Sequence, residues 1–197
     1  VTDNHFMNVS GIEKLTFSGT GSVSATGGAA FNSAVDSAVT ITDGVTAATK
    51  TVTIAMGLAT DDITVVSSGG SQTGATTEDV NITTGSGNDT VTQSATGWVA
   101  ATGASGECNI TTGAGNDTIT VVHGTHKAVT TVAPIKITGG TGADTITMTH
   151  VNAASGLTPT YIFAAGDSTV AGYDTITGFD LNTTALFSDT LDFSGTA

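Results

Sequence analysis

The segment Thr84-Gly85-Ser86-Gly87-Asn88-Asp89-Thr90-Val91-Thr92 constrains this chain more than any other stretch, because it recurs downstream at a nearly constant interval. Its copies are Thr112-Gly113-Ala114-Gly115-Asn116-Asp117-Thr118-Ile119-Thr120 and Gly139-Gly140-Thr141-Gly142-Ala143-Asp144-Thr145-Ile146-Thr147. A looser copy runs from Gly166 to Asp174-Thr175-Ile176-Thr177. The aspartates of successive copies, Asp89, Asp117, Asp144 and Asp174, are 28, 27 and 30 residues apart. A fixed period of that size marks a solenoid, in which each repeat buries its apolar side only against its neighbours. Upstream, Asp61 lies another 28 residues before Asp89, with Leu58-Ala59 where glycines are expected, and reads as a degraded rung.

Each glycine turn follows a short strand whose two apolar residues stand five and three positions before the same glycine. The pairs are Val52/Ile54, Val80/Ile82, Cys108/Ile110, Ile135/Ile137 and Tyr161/Phe163. After the turn come Ile63, Val91, Ile119, Ile146 and Ile176, each flanked by polar residues, mostly threonine. Alternation at a period of two sends the aliphatic residue to one face of a strand and the threonines to the other. Every rung therefore reads as strand, turn, strand and return loop, with the return loops at 67–79, 93–107, 123–134 and 150–160. Before the first motif, the stretches 9–17, 23–26 and 35–41 alternate in the same way and predict strands, and helical periodicity is absent. The predicted fold is all-β, a parallel β-helix or β-roll with coils of ~28 residues and one glycine–aspartate turn per coil. Residues 1–50 are expected to form coils without a clear motif, 51–177 the coils that carry it, and 178–197 a terminal cap or junction. Both ends break off in mid-pattern, so the chain reads as a segment of a longer protein.

Charge narrows the range of functions. The formal net charge is −13, with 17 acidic residues against four basic ones, Lys14, Lys50, Lys127 and Lys136, and no arginine. Such a chain is a poor partner for nucleic acid or an anionic membrane surface. No run of 18 apolar residues is present, so membrane insertion as a helix is not expected. An acidic chain rich in Thr, Ser and Gly can be disordered, but here the aliphatic residues recur in phase with the motif, which predicts order. Cys108 is the single cysteine, so an intrachain disulfide is impossible; it falls in the slot taken by Val80 and Ile135 in neighbouring rungs and reads as a small core residue.

Stacked rungs would hold equivalent aspartates ~4.8 Å apart, and adjacent carboxylates at that distance repel by about 0.9 kcal/mol even at the dielectric of water. A hard divalent cation between successive turns reverses the sign of that interaction. Calcium accepts carboxylate and carbonyl oxygens at flexible geometry, whereas magnesium demands a strict octahedron and keeps its own waters. The glycines let the turn adopt positive φ and aim carbonyls at one ion. The expected calcium turns are built from Gly85, Gly87, Asn88 and Asp89, from Gly113, Gly115, Asn116 and Asp117, and from Gly140, Gly142 and Asp144, with Asp167 and Asp174 in the looser copy. Asp61 reads as a remnant rather than a ligand. His5, His123, His126 and His150 sit in or beside return loops and read as exposed loop residues.

At these turns the sequence resembles the repeats-in-toxin, or hemolysin-type calcium-binding, proteins of Gram-negative bacteria. Gly139 to Thr147 matches the calcium-binding β-helix repeat G-G-x-G-x-D-x-U-x at every fixed position, and the copies at Thr84 and Thr112 differ only in Thr for the first Gly. The resemblance covers residues 50–193. It implies a right-handed parallel β-roll, with Asp89, Asp117 and Asp144 as side-chain ligands to calcium and folding after export by type I secretion. Toxin repeats follow each other every nine residues and place calcium turns on both sides of the roll. Here each coil has one such turn, and the wider coil with threonine-rich strands is more similar to a calcium-dependent surface-layer protein. The expected role is accordingly an extracellular, non-enzymatic structural segment at the bacterial cell surface. Self-association into a lattice or filament is expected, with attachment to cell-surface polysaccharide through regions beyond this segment. The alternative is a calcium-dependent folding or export module of a secreted adhesin, toxin or hydrolase.

Overall fold

The structure is a computed structural model that describes residues 1–18, 22–35, 38–43, 51–59, 62–68, 72–74, 79–95, 98–100, 107–123, 134–150, 158–181 and 188–195. The alternating stretches form strands wherever an aliphatic residue can face inward. A 3-10 turn, Asp3–Phe6, precedes β1 (Lys14–Phe17), β2 (Val23–Thr26), the short helix α1 (Ala29–Ala34) and β3 (Ala38–Asp43). The next coils contain β4 (Thr51–Ala59), β5 (Asp62–Ser68), β6 (Gln72–Gly74), β7 (Asp79–Ser86), β8 (Thr90–Ala95) and β9 (Trp98–Ala100). They are followed by β10 (Cys108–Ala114), β11 (Thr118–His123), β12 (Pro134–Thr141) and β13 (Thr145–His150). The last elements are β14 (Thr158–Ala164), β15 (Thr175–Thr177) and β16 (Thr190–Gly195).

These strands make a β-solenoid of two seven-stranded parallel sheets. Sheet A has the order β1-β3-β5-β8-β11-β13-β15, and sheet B the order β16-β14-β12-β10-β7-β4-β2. Each coil contributes one strand to each sheet; the glycine–aspartate turn joins β7 to β8, β10 to β11 and β12 to β13, whereas α1 lies between β2 and β3. Because the sequence repeats, parallel stacking places like on like. Val65, Val91, Ile119 and Ile146 stack inside sheet A, and Ile54, Ile82, Ile110 and Ile137 stack inside sheet B. All eight are at most 2% exposed, and they belong to one continuous core. Each such side chain contributes roughly 1.5–3 kcal/mol through removal from water. Cys108 lies between Val80 and Ile135 at 2% exposure, as its slot in the repeat predicts.

Several expectations shift by a residue or two. Val65, not Ile63, pairs with Val91, because the register in this coil slips by two between Ala55 and Ala59 of β4. Asp61 lies outside the described residues. In the last coil Ile137 pairs with Tyr161 and Ile135 with Pro159, so Tyr161 takes the inner slot expected for Phe163, and Phe163 stacks instead on Phe193 at 5.2 Å. In the N-terminal part, residues 9–13 form no strand, and α1 was not signalled by any periodicity. The helix depends on a distant cap. Asp3 Oδ1 accepts the amide N–H groups of Gly28 (2.7 Å) and Phe31 (2.9 Å), and Oδ2 accepts that of Ala30 (3.3 Å). Those bonds, Phe31 first, hold the Asp3 carboxyl below its ordinary range. Phe31 is buried and meets Phe6 edge to face at 5.0 Å, closing the core beside β4. The stretches expected as return loops carry structure too: β6 and β9 pair in parallel through Gln72, Thr73 and Gly74 with Trp98, Val99 and Ala100.

Candidate metal centre

The turn between the sheets is built first by its glycines. Gly85, Gly87, Gly113, Gly115, Gly140 and Gly142 all have φ between 98° and 143°. Their backbones also touch from coil to coil: a Cβ on Gly115 would lie 1.7 Å from the Gly87 carbonyl oxygen, and one on Gly142 1.7 Å from that of Gly115. Both conditions exclude any other residue. The turns therefore stack as tightly as the strands they join.

On this stack the aspartates form a ladder. Asp117 Oδ1 accepts the amide N–H of Asp89 at 2.8 Å, Asp144 Oδ1 that of Asp117 at 2.9 Å, and Asp174 Oδ1 that of Asp144 at 3.0 Å. At the other end Asp89 Oδ1 accepts the N–H of Ile63 at 2.7 Å, so an aliphatic residue occupies the aspartate position in the preceding coil. One position earlier runs a second ladder. Asp62 Oδ1 accepts from Asn88 N–H (2.7 Å), Asn88 Oδ1 from Asn116 N–H (2.9 Å), and Asn116 Oδ1 from Ala143 N–H (2.9 Å). Asp62, which was not among the expected ligands, thus holds the place of a motif asparagine.

The other carboxylate oxygen of each aspartate has a different surrounding. Asp89, Asp117 and Asp144 are each 1% exposed, and their Oδ2 atoms are buried with no hydrogen-bond partner among the described residues. The hydroxyls of Thr84 and Thr112 lie beside Asp89 and Asp117, but they donate their protons to the carbonyls of Thr112 (3.0 Å) and Gly139 (2.8 Å) and so leave the carboxylates uncompensated. Where the motif begins with glycine instead, Asp144 Oδ2 fills the space: a Cβ on Gly139 would lie 2.2 Å from it. Burial raises the pKa of Asp89, Asp117 and Asp174, and raises Asp144 to about 6. Backbone N–H bonds oppose the rise, and the charges of Asp117, Asp174 and Asp167 add to it at Asp144.

The looser copy joins the same ladder by another route. Gly166 has open space around it, whereas Gly172 packs on Gly142, with a Cβ position 3.3 Å from the Gly142 carbonyl oxygen. Asp167 is buried; its Oδ2 accepts the Ala164 N–H at 2.6 Å, and its carbonyl accepts from Gly142 N–H at 3.3 Å. The insertion thus loops out and returns in time to place Asp174 above Asp144.

A row of buried, one-sided carboxylates fits a cation chemically, since an ionised carboxylate out of water needs either a partner or a proton. Among the described residues no three His, Cys, Asp or Glu side chains converge on one point. A cation on this ladder would take one carboxylate from each rung and complete its shell with main-chain oxygens, a donor set that suits calcium. Comparison of the chain with family models, with curated proteins and with solved structures yields no match.

Proposed function

We propose that this chain is a calcium-stabilised, non-enzymatic structural solenoid, a segment of a self-assembling surface layer on the outside of a bacterial cell. The observation that supports the calcium reading is the in-register set of Asp89, Asp117 and Asp144 Oδ2 atoms, each buried and without a partner among the described residues. Bound calcium would supply a compensating positive charge between rungs. Asp89, Asp117, Asp144 and Asp174 would present Oδ2 to it while Oδ1 stays bonded to the neighbouring rung, and the glycine turns would leave main-chain oxygens free of Cβ cover. The protein's own part is to hold these oxygens at one spacing and keep water from the inner side. The same ion would relieve the repulsion within a chain of net charge −13 and between copies of it.

The test is far-UV circular dichroism across a calcium titration, followed by EGTA and by electron microscopy of the calcium-loaded protein. Strand signal and ordered sheets that appear with calcium and vanish with EGTA are expected. Calcium-dependent folding without assembly would replace the surface-layer reading with that of an export or adhesin module. Folding indifferent to calcium would remove the metal centre.

A further inference from the structure

We infer that the interior of the solenoid holds a second oxygen-ligand cation site, away from the turn ladder, formed by Asp43, Ser67 and Gln93 on β3, β5 and β8. The three residues occupy one inward position of sheet A in consecutive rungs: Asp43 pairs with Ser67 and Ser67 with Gln93. They are 1%, 0% and 1% exposed. In the next two rungs the same position is held by Val121 and Met148, buried aliphatic residues, so its ordinary occupant is apolar. Three polar residues on adjacent rungs therefore replace core residues in one place, with side chains roughly 4.8 Å apart along the sheet.

Two of the three already interact: the Ser67 hydroxyl donates to Asp43 Oδ2 at 3.2 Å. Gln93 does not. Both its Oε1 and its Nε2 are buried without a hydrogen-bond partner among the described residues. Buried amides are almost always satisfied, so an orphaned one on the rung next to Ser67, whose hydroxyl is bonded to Asp43, points to something bound there. With its proton given to Asp43, Ser67 has only lone pairs to offer. The set facing that space is then carboxylate, hydroxyl and amide oxygen, all hard donors with no sulfur or imidazole, which is the chemistry that takes calcium. Val65 and Val91, fully buried two residues earlier on the same strands, keep that side of the space apolar.

Gln93→Val makes the decisive variant because it copies Val121 of the next rung and is compatible with the fold. Calcium bound per chain at saturation is measured by equilibrium dialysis on the whole chain, alongside the melting temperature. Gln93→Val and Asp43→Asn are each expected to bind one calcium fewer than the parent and to melt lower in calcium. A Gln93→Val protein with an unchanged calcium count and a higher melting temperature would overturn the site, showing an unsatisfied amide or a buried water instead. Should one variant fail to give strand circular dichroism, the count of the other decides. Asp117→Asn separates this site from the turn ladder: a loss of calcium in Asp117→Asn but not in Gln93→Val sinks the interior site alone, and the reverse sinks the ladder alone.

Discussion

The coils from β7 to β13 and the coils that flank them answer the same problem differently. In the central coils the motif is intact, and both strands and the turn keep one register, 28 or 27 residues from rung to rung. In the coil before them the glycines are missing. There β4 slips by two residues between Ala55 and Ala59, Asp62 comes to lie 26 residues before Asn88, and Ile63 stands under Asp89. In the coil after them residues are inserted, yet Asp174 returns to the ladder 30 residues on from Asp144. Inward aliphatic residues set where strands lie, because a slip of one would turn each core face to water. The difference in length is absorbed by an irregularity at the end of β4 in the first case and by the turn in the second, where Gly172 keeps contact with Gly142.

The largest test of this contrast is a single methyl group. Gly115→Ala meets the Gly87 carbonyl and a φ of 139°, and should cost about 4 kcal/mol or more in denaturant unfolding with calcium present. Gly166→Ala also has a positive φ, 93°, but meets no atom of the described residues within 4 Å, and should cost about 1 kcal/mol. Equal effects would break the comparison. A smaller difference is expected in the core: Ile119→Ala, at 0% exposure, should lose about 2–5 kcal/mol, and Ile176→Ala in the partly buried last rung about 1–2 kcal/mol, read by the same denaturation midpoint.

Titration separates the ladder from its surroundings more subtly. In metal-stripped protein the Asp144 carboxyl, raised by burial from 3.8 to about 6, makes the folded state bind more protons than the unfolded state between those values. Stability from this group is therefore greatest at acid pH and is lost as pH rises through about 6. Metal-stripped protein should show more strand circular dichroism at about pH 5 than at about pH 7. With calcium present the slope should reverse, since protons compete for the same oxygens. Asp117→Asn should imitate acid, with more strand signal without calcium at neutral pH and a higher calcium midpoint. The smallest effect belongs to Cys108→Val, which restores the neighbouring Val80 in an equivalent slot and should change stability by less than about 1.5 kcal/mol.

Much of the molecule is legible along the chain because a solenoid converts period into contact. The positions of Asp89, Asp117, Asp144 and Asp174 in the repeat are also their positions in the ladder, and the slot of Cys108 is its place in the core. That holds where the nearest copy in sequence is also the neighbour in space. The α1 cap was not legible for the opposite reason: Asp3 and the helix it caps belong to no repeat, and they meet 25 to 28 residues apart. The interior placement of Ser67 and Gln93 was missed because both stand at strand ends that read as return loops. The only signal was alignment with Val121 and Met148 two residues beyond the inward aliphatic position.

By itself the sequence determined the period, the parallel all-β architecture, the inward aliphatic ladders and the glycine–aspartate turns, since each follows from local alternation and exact repetition. Only the tertiary structure decided which oxygen of Asp89, Asp117 and Asp144 is tied and which is bare, that Asp62 stands in for a motif asparagine, and that Asp43, Ser67 and Gln93 occupy one inward position on consecutive rungs. Those outcomes depend on how adjacent rungs slide against each other by a residue or two, and that choice is made by packing across the core rather than by any stretch of chain alone.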